Sequence, residues 1–109
     1  MLILNPNPCI DLTFWVNTLV VGSVHRATKN ETTAGGKGIN VARACQTMGM
    51  HPALYLTLPR REGGFYKELL AAEGHDVEYF DVDGEVRKAV IVNKAESSAV
   101  TVINGAGPA

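Results

Sequence analysis

Three glycines and a lysine stand close together in residues 33–40, whose sequence is Thr-Ala-Gly-Gly-Lys-Gly-Ile-Asn. Glycine is used where the main chain takes a positive φ or comes into contact with another group. A helical pattern begins directly after these glycines, and the first turn of a helix carries backbone N–H groups without an intrahelical partner. Such a turn suits a polar or anionic ligand. The alternative is a plain strand-to-helix turn in which the glycines serve geometry alone.

The two best-known nucleotide-binding glycine motifs do not match this turn. A Walker A loop requires a glycine where Glu31 stands and a serine or threonine where Gly38 stands. The dinucleotide fingerprint would start at Gly36 but would end on Val41 rather than on a small residue, and Asp11 precedes it instead of following it. The sequence therefore argues against a nucleotide phosphate loop at this position.

The composition is that of a soluble globular domain or of part of one. Of the 109 residues, 46% are hydrophobic and 19% are charged. The formal charge of −1 does not indicate a protein that binds nucleic acid. Through Arg61 there are six basic and two acidic residues, whereas the rest of the chain has four basic and nine acidic residues. We therefore expect an anionic ligand to bind the first half.

No apolar run is long enough for a secretory or membrane-spanning segment, since residues 1–4 are followed by Asn-Pro-Asn-Pro. We expect a cytoplasmic protein without a membrane partner. The lone cysteines, Cys9 and Cys45, predict thiols rather than a disulfide or a metal site. The three histidines are scattered without ligand spacing, and no metal site is expected.

Periodicity outlines the elements around the glycine turn. Alternation over residues 10–17 predicts a half-buried strand in which Asp11 points away from the face of Leu12. Residues 25–33 predict a second, more exposed strand, and the two could form a sheet open on one side. The period then changes to that of a helix from residue 37 to 48, ending at Gly49. Its predicted buried stripe consists of Val41, Ala44, Cys45 and Met48.

The second half predicts a further strand, helix and strand, followed by a hairpin. Residues 52–58 and 77–82 are strand-like, and a helix between them is marked by Phe65, Leu69 and Ala72, with Gly74 after it. The alternation of strands and helices implies a parallel α/β layer with right-handed crossovers. Residues 86–93 and 99–103 predict a β-hairpin, and the chain then continues into a loop sequence.

Several ordered motifs resemble the amino-terminal part of the ribokinase-like carbohydrate kinases. They are residues 7–11 (Asn-Pro-Cys-Ile-Asp), 22–26 (Gly-Ser-Val-His-Arg) and 34–43 (Ala-Gly-Gly-Lys-Gly-Ile-Asn-Val-Ala-Arg), and residues 86–87 and 103–108 are also similar. The nearest branch is the phosphofructokinase B type, with its 1-phosphofructokinases and tagatose-6-phosphate kinases. The resemblance implies an α/β fold, a ribokinase-like parallel sheet with flanking helices that is incomplete here, plus a small β lid with strands at about 9–34 and 86–104.

The resemblance also implies transfer of the ATP γ-phosphoryl group to a hydroxyl of a sugar phosphate, with ATP and Mg²⁺ as cofactors of the full-length protein. Asp11 matches the aspartate that accepts hydrogen bonds from sugar hydroxyls, and Arg87 matches the arginine that holds the sugar phosphate, for which its planar fork is suited. Arg26 is a further candidate for the same anion. The alternatives are an Asp that caps local N–H groups and an Arg at the border of the lid.

On the same model, Gly35 and Gly36 let the backbone approach the sugar ring. Asn40 could donate and accept hydrogen bonds at once, although an asparagine in a first helical turn is often a local cap. Lys37 would face the substrate or its phosphate, or else solvent. Where the branch usually has Thr-Arg-x-Asn, this chain has residues 86–89, Val-Arg-Lys-Ala. A polar contact to the sugar is thereby missing, and the choice of sugar stays open.

The family's catalytic base and anion hole lie in a Gly-Ala-Gly-Asp motif far toward the carboxyl end. Residues 105–108, Gly-Ala-Gly-Pro, are not that motif. Phosphoryl transfer needs metal-held phosphates and a positioned base, so we expect no catalytic residue in this chain, no cofactor bound by it alone and no kinase activity from it alone. The alternative function is a non-catalytic sugar-phosphate-binding or self-associating module, in which exposed lid strands pair as a homodimer.

Overall fold

The computed structural model describes residues 2–94 and 99–105. The expected hairpin turn at 95–98 and the last residues of the expected loop, 106–109, lie outside the described residues. In chain order the elements are β1 (Leu2–Asn5), β2 (Cys9–Val16), β3 (Lys29–Gly35), α1 (Lys37–Thr47), β4 (Ala53–Arg61), α2 (Gly63–Ala71), β5 (Asp76–Glu85), β6 (Arg87–Lys94) and β7 (Val100–Asn104).

The first sheet is parallel and has the strand order β1-β4-β5. This confirms the predicted parallel α/β layer. The strand that precedes α1 in this sheet is β1, which has only four residues and was not predicted, because a four-residue strand is too short to show a period. The predicted strand before the helix, β3, belongs to the other sheet.

The second sheet has the order β3-β2-β6-β7. Strand β2 is antiparallel to β3 and parallel to β6, and β6 is antiparallel to β7, so the predicted hairpin is confirmed. The early strands and the late hairpin thus form one four-stranded sheet. The predicted second strand was wrong at its start, since residues 25–28 are not part of β3, which runs instead to Gly35.

Helix α1 has the predicted bounds to within one residue. It begins after Gly36, whose φ of 127° requires a glycine, and it is closed by Gly49 at φ 80°. The N–H of Met50 donates to the carbonyl oxygen of Cys45 at 2.9 Å, which satisfies one of the last helical carbonyls.

The predicted buried stripe of α1 was wrong except at Cys45. Val41 and Met48 are 49% and 67% exposed, and Ala44 is exposed as well. The residues that α1 buries are Gly38, Ile39, Ala42 and Cys45. The helix carries two apolar stripes that share Cys45, and the stripe that starts at Gly38 is the one packed against the strands.

Helix α2 shows a similar rotation. Of the apolar residues that marked this helix in the sequence, Phe65 is 44% exposed and Ala72 is exposed, whereas Tyr66 and Leu70 are fully buried. Leu69 of the prediction is partly buried against the core. Because Tyr66 carries a hydroxyl, its burial requires a hydrogen-bond acceptor inside the protein.

One hydrophobic core joins the two sheets. Ile10 and Ala34 of the four-stranded sheet belong to the same buried cluster as Leu56 of β4, Ile39 of α1 and Tyr66 of α2. On the other face of the three-stranded sheet no helix of residues 2–94 and 99–105 is packed, and Leu4 and Phe80 there are 68% and 54% exposed. Neither α1 nor α2, the helices among the described residues, is long and apolar enough to cross a membrane.

Candidate functional site

The end of β1, the start of α1 and the start of β6 enclose a cavity of about 420 Å³. This volume lies within the usual range for small-ligand sites. Two cationic side chains, Lys37 and Arg87, line it, and no carboxylate of the described residues does. Its lining residues are Leu4, Asn5, Pro6, Asn7, Lys37, Gly38 and Arg87. The cavity therefore favours an anionic group.

The N-terminus of α1 adds to this preference. The first helical hydrogen bond runs from the N–H of Asn40 to the carbonyl oxygen of Gly36 at 3.1 Å, so the preceding N–H groups have no partner within the helix. No side chain in the described part of the chain caps this end, and the first turn carries no acidic residue that would neutralise its positive dipole end. An anion in the cavity would meet both the helix terminus and the two cations.

Two of the glycines are explained by Asn5, a residue that sequence reasoning missed. A Cβ built on Gly36 would lie 2.6 Å from Asn5 Nδ2, and one built on Gly38 would lie 2.7 Å from Asn5 Cβ. These glycines let α1 start directly over the end of β1. Asn5 is buried, and among the described residues its Nδ2 has no hydrogen-bond partner. The sequence signal was a polar residue directly after the short apolar run at residues 2–4.

Asp11 lies against the third glycine. A Cβ on Gly35 would collide with the Asp11 carboxylate, so the absence of a side chain there makes room for this carboxylate. Leu12 packs against the core, while Asp11 lies over the end of β3, which confirms that the two residues face opposite sides. The glycine turn and the candidate hydroxyl-binding carboxylate are therefore in direct contact.

Cys9 lies near both Asp11 and Arg87. It is paired with Arg87 in the parallel register of β2 and β6. Burial, and then the neighbouring Asp11, raise the pKa of the Cys9 thiol to about 11, while Arg87 acts in the opposite direction. Asp11 and Arg87 are thus both near this thiol. The Nε of Arg87 is buried and has no partner among the described residues.

The remaining candidates of the turn lie at the start of α1. Lys37 and Asn40 are exposed, and the amide oxygen of Asn40 accepts a hydrogen bond from Arg43 Nη1 at 3.2 Å. Six of the seven predicted binding residues therefore surround one end of one helix. They are Asp11, Gly35, Gly36, Lys37, Asn40 and Arg87.

Arg26, the further candidate for the same anion, does not line the cavity that Lys37 and Arg87 line. It lies in the connection between β2 and β3 and lines a different cavity with Phe14 and Val16. Phe14 and Val16 alternate with Asp11 along β2, so this cavity lies on the opposite face of the four-stranded sheet. Because side chains alternate between the two faces of β2, Arg26 and the anion site lie on opposite faces of this sheet.

Two further residues support the turn and were not predicted to do so. Tyr66 donates a hydrogen bond to the carbonyl oxygen of Gly35, and Arg43 donates one to the carbonyl oxygen of Ala34. Within the described ranges, no group of three or more His, Cys, Asp or Glu side chains is arranged to hold a metal ion.

Comparison with known proteins places this chain in a family. The model of the pfkB family of carbohydrate kinases matches residues 5–109. This chain belongs to the pfkB family. The match confirms the resemblance found in the sequence, and the chain corresponds to the amino-terminal portion of the family's members.

Among pfkB relatives, the 1-phosphofructokinase of Xanthomonas campestris is 34% identical over 98 residues, which are 90% of this chain and 31% of that enzyme. A tagatose-6-phosphate kinase of Staphylococcus epidermidis is 26% identical over 92 residues, covering 84% of this chain and 30% of that enzyme. The chain therefore spans about a third of the length of the relatives it matches.

Solved structures of two kinases confirm the fold. The phosphofructokinase-2 of Escherichia coli in complex with fructose-6-phosphate superposes with a TM-score of 0.87 at 24% identity, over 95% of this chain and 34% of that one. The ribokinase of Arabidopsis thaliana, complexed with ribose and ATP, gives a TM-score of 0.71 at 21% identity over 97% and 36%. The α/β ribokinase-like assignment made from the sequence is thus confirmed.

Proposed function

We propose that this chain is the sugar-phosphate-binding part of a kinase that transfers the γ-phosphoryl group of ATP to a hydroxyl of a sugar phosphate. The observation that carries the proposal is the pairing of a cationic cavity, lined by Lys37 and Arg87, with the Asp11 carboxylate beside it. A sugar phosphate has the matching chemistry, since its phosphate is an anion and its hydroxyls are hydrogen-bond donors.

In this proposal each group has one role. Arg87 and Lys37 hold the phosphate of the substrate together with the N-terminus of α1. Asp11 accepts hydrogen bonds from the hydroxyls and orients the sugar ring. Asn40, whose amide oxygen is occupied by Arg43, donates from its NH₂ group. These residues bind and orient the acceptor, and none of them is assigned to proton transfer.

The substrate belongs to the type of fructose 1-phosphate, fructose 6-phosphate or tagatose 6-phosphate. Relatives named 1-phosphofructokinase and tagatose-6-phosphate kinase support this range. Ala89 stands where the family branch usually has an asparagine, and it is the register partner of Asp11 on the neighbouring strand. An asparagine side chain at position 89 would therefore lie next to the proposed hydroxyl-binding carboxylate, and its absence should affect the choice of sugar.

ATP and Mg²⁺ are cofactors of the whole enzyme in this proposal. The acceptor cavity has no carboxylate lining, and the described residues offer no cluster of acidic side chains for a divalent ion. The residues present thus do not fit the metal, which we assign to the remainder of the enzyme together with the catalytic base. Accordingly, we propose that residues 1–109 alone are inactive. We also propose that the complete kinase works in the cytoplasm.

The uncovered apolar face of the three-stranded sheet supports this incompleteness. Parallel sheets are normally covered on both faces, yet Leu2, Leu4 and Phe80 are all more than half exposed. The relatives are about three times as long as this chain. Further helices of the enzyme would cover these side chains.

A second candidate function is self-association through the four-stranded sheet. Its edge strand β7 exposes Val100, Val102 and Ile103, and an unpaired apolar edge favours pairing with another chain. One solved relative is described as a tetrameric inhibited form of phosphofructokinase-2. Light scattering after gel filtration tests this: a homodimer that Val102→Asp converts to a monomer supports it, and a monomeric wild type at high concentration contradicts it.

The experiment that tests the main proposal is a coupled ADP-release assay with ATP, Mg²⁺ and each of the three sugar phosphates. The full-length protein should turn over at least one of them, and residues 1–109 alone should turn over none. Turnover by the short chain would contradict its assigned inactivity. Absence of turnover by the full-length protein with all three would contradict the kinase proposal itself.

A further inference from the structure

Two side chains that do not line the acceptor cavity hold the peptide groups just before α1. Tyr66 of α2, fully buried, donates its hydroxyl to the carbonyl oxygen of Gly35 at 3.0 Å. Arg43 of α1 donates Nη2 to the carbonyl oxygen of Ala34 at 2.5 Å. Two consecutive carbonyl groups are therefore fixed from two different helices.

Arg43 also reaches a proposed substrate-binding side chain. Its Nη1 donates to the amide oxygen of Asn40 at 3.2 Å. Because this oxygen is engaged, the amide of Asn40 has its NH₂ group available as a donor for a ligand. Arg43 thus fixes both the direction and the hydrogen-bonding character of Asn40.

Arg43 is held in place by the segment that follows α2. The carboxylate of Glu73 accepts from Nε at 2.7 Å and from Nη2 at 2.8 Å, a geometry that suits the guanidinium fork. Gln46 donates to the backbone carbonyl of Glu73 at 2.8 Å, and His75 lies 3.2 Å from the same carboxylate. The ion pair raises the pKa of Arg43 and lowers that of Glu73, so both are charged at neutral pH.

A displacement of Gly35 would directly change the position of the Asp11 carboxylate. The Asp11 carboxylate occupies the space where a Cβ of Gly35 would stand, so the two groups are in van der Waals contact. A chain of contacts therefore runs from Tyr66 through the peptide of Gly35 to the proposed hydroxyl-binding carboxylate. Burial raises the pKa of Tyr66, which keeps its hydroxyl protonated as a donor.

We propose that Tyr66 and Arg43 are positioning residues of the acceptor site, which set the orientation of the Gly35 and Gly36 peptides, of Asp11 and of Asn40 without touching the substrate. This proposal rests on the proposed sugar-phosphate function. It differs from a purely structural role because both hydrogen bonds to the backbone end on the turn that forms the site.

The test compares Tyr66→Phe with Tyr79→Phe in the full-length protein. Tyr79 is a half-buried tyrosine of β5 whose hydroxyl makes no hydrogen bond to the turn among the described residues, so its variant removes a hydroxyl without removing a bond to the turn. We expect Tyr66→Phe to raise KM for the sugar phosphate about tenfold with KM for ATP unchanged, and Tyr79→Phe to change neither. Arg43→Lys, which keeps the charge but loses the fork, should raise the same KM at least as much.

A second measurement separates failure of this proposal from failure of the kinase function. Amide hydrogen exchange at Gly35 and Gly36 should become about tenfold faster in Tyr66→Phe and stay unchanged in Tyr79→Phe. Faster exchange with an unchanged KM for the sugar phosphate would overturn the positioning role. So would a parallel rise of both KM values with a lower melting temperature, because that is the signature of a structural role.

A wild type that phosphorylates none of the sugar phosphates would overturn the proposed function and the substrate named here. In that case the exchange rates would still decide whether Tyr66 holds the turn. Unchanged exchange in both variants would overturn that claim as well.

Discussion

The two sides of the turn at residues 34–36 differ in how their polar groups are satisfied. On the cavity side, Asn5 Nδ2 and Arg87 Nε are buried without a partner among the described residues, and the start of α1 is uncapped. On the supporting side, the guanidinium of Arg43 and the hydroxyl of Tyr66 make short hydrogen bonds to carbonyl or carboxylate oxygens.

Because of this difference, the two sides should contribute differently to substrate binding and to the stability of the fold. An unsatisfied buried donor costs free energy in the folded chain, roughly 1–3 kcal/mol, and a bound anion can recover that cost. The satisfied groups on the supporting side have no such capacity left. Changes on the cavity side should therefore weaken substrate binding more than stability, and changes on the supporting side should affect both.

The largest effect is expected for Arg87→Ala on the cavity side. Loss of a charge-assisted bond to the phosphate should lower kcat/KM in the full-length protein by about 100-fold or more, while the free energy of unfolding changes by less than about 1 kcal/mol. Lys88→Ala is the matched control, since Lys88 is the next cation along β6 and is paired with Glu62 at 2.8 Å. Equal losses in the two variants would contradict the assignment of Arg87 to the phosphate.

Gly35→Ala should act at the contact between the two sides. The new methyl group would collide with the Asp11 carboxylate, which must rotate away, so KM for the sugar phosphate should rise at least about tenfold at a stability cost near 1 kcal/mol. Gly64→Ala is the control, because a Cβ there meets nothing within 4 Å and a helical alanine should stabilise α2 by about 0.5–1 kcal/mol. Unchanged kinetics for Gly35→Ala would show that Asp11 is not constrained as described.

Glu73→Gln should have the smallest effect, and that effect should depend on pH. The folded pKa of Glu73 is lowered, chiefly by Arg43, so the stabilisation is complete above its unfolded value of 4.5 and is lost as the pH falls through the folded value. Chemical denaturation should show a loss of about 1 kcal/mol at pH 7 that shrinks as the pH falls below 4.5 and disappears below the lowered folded pKa of Glu73. A loss that persists at low pH would show that the ion pair is not its source.

The glycine turn, the bounds of α1 and the late hairpin could be predicted because each has a local signal. Gly49 at a positive φ closes α1 as expected, and Val90 and Ile103 pair in the expected hairpin. The resemblance predicts Asp11, Asn40 and Arg87 as binding residues, and all three lie near the turn.

The buried faces of the helices could not be predicted from periodicity. In α1, apolar residues follow two stripes, and only the arrangement of the strands decides that Ile39 is buried while Val41 is exposed. In α2, the arrangement of the strands likewise buries Tyr66 instead of Phe65, and this burial allows the hydrogen bond from Tyr66 to Gly35. The parallel pairing of β2 with β6, which brings Arg87 beside Cys9, also joins residues far apart in the sequence.

The most direct test of the account is the sugar-phosphate dependence of kinase activity in full-length Asp11→Asn. Its amide keeps the size of the carboxylate but can accept fewer hydrogen bonds and carries no charge. We predict that kcat/KM for the sugar phosphate falls by about 100-fold or more, with KM for ATP and the melting temperature close to those of the wild type. An Asp11→Asn enzyme with wild-type kcat/KM would contradict the placement of the sugar site at this glycine turn.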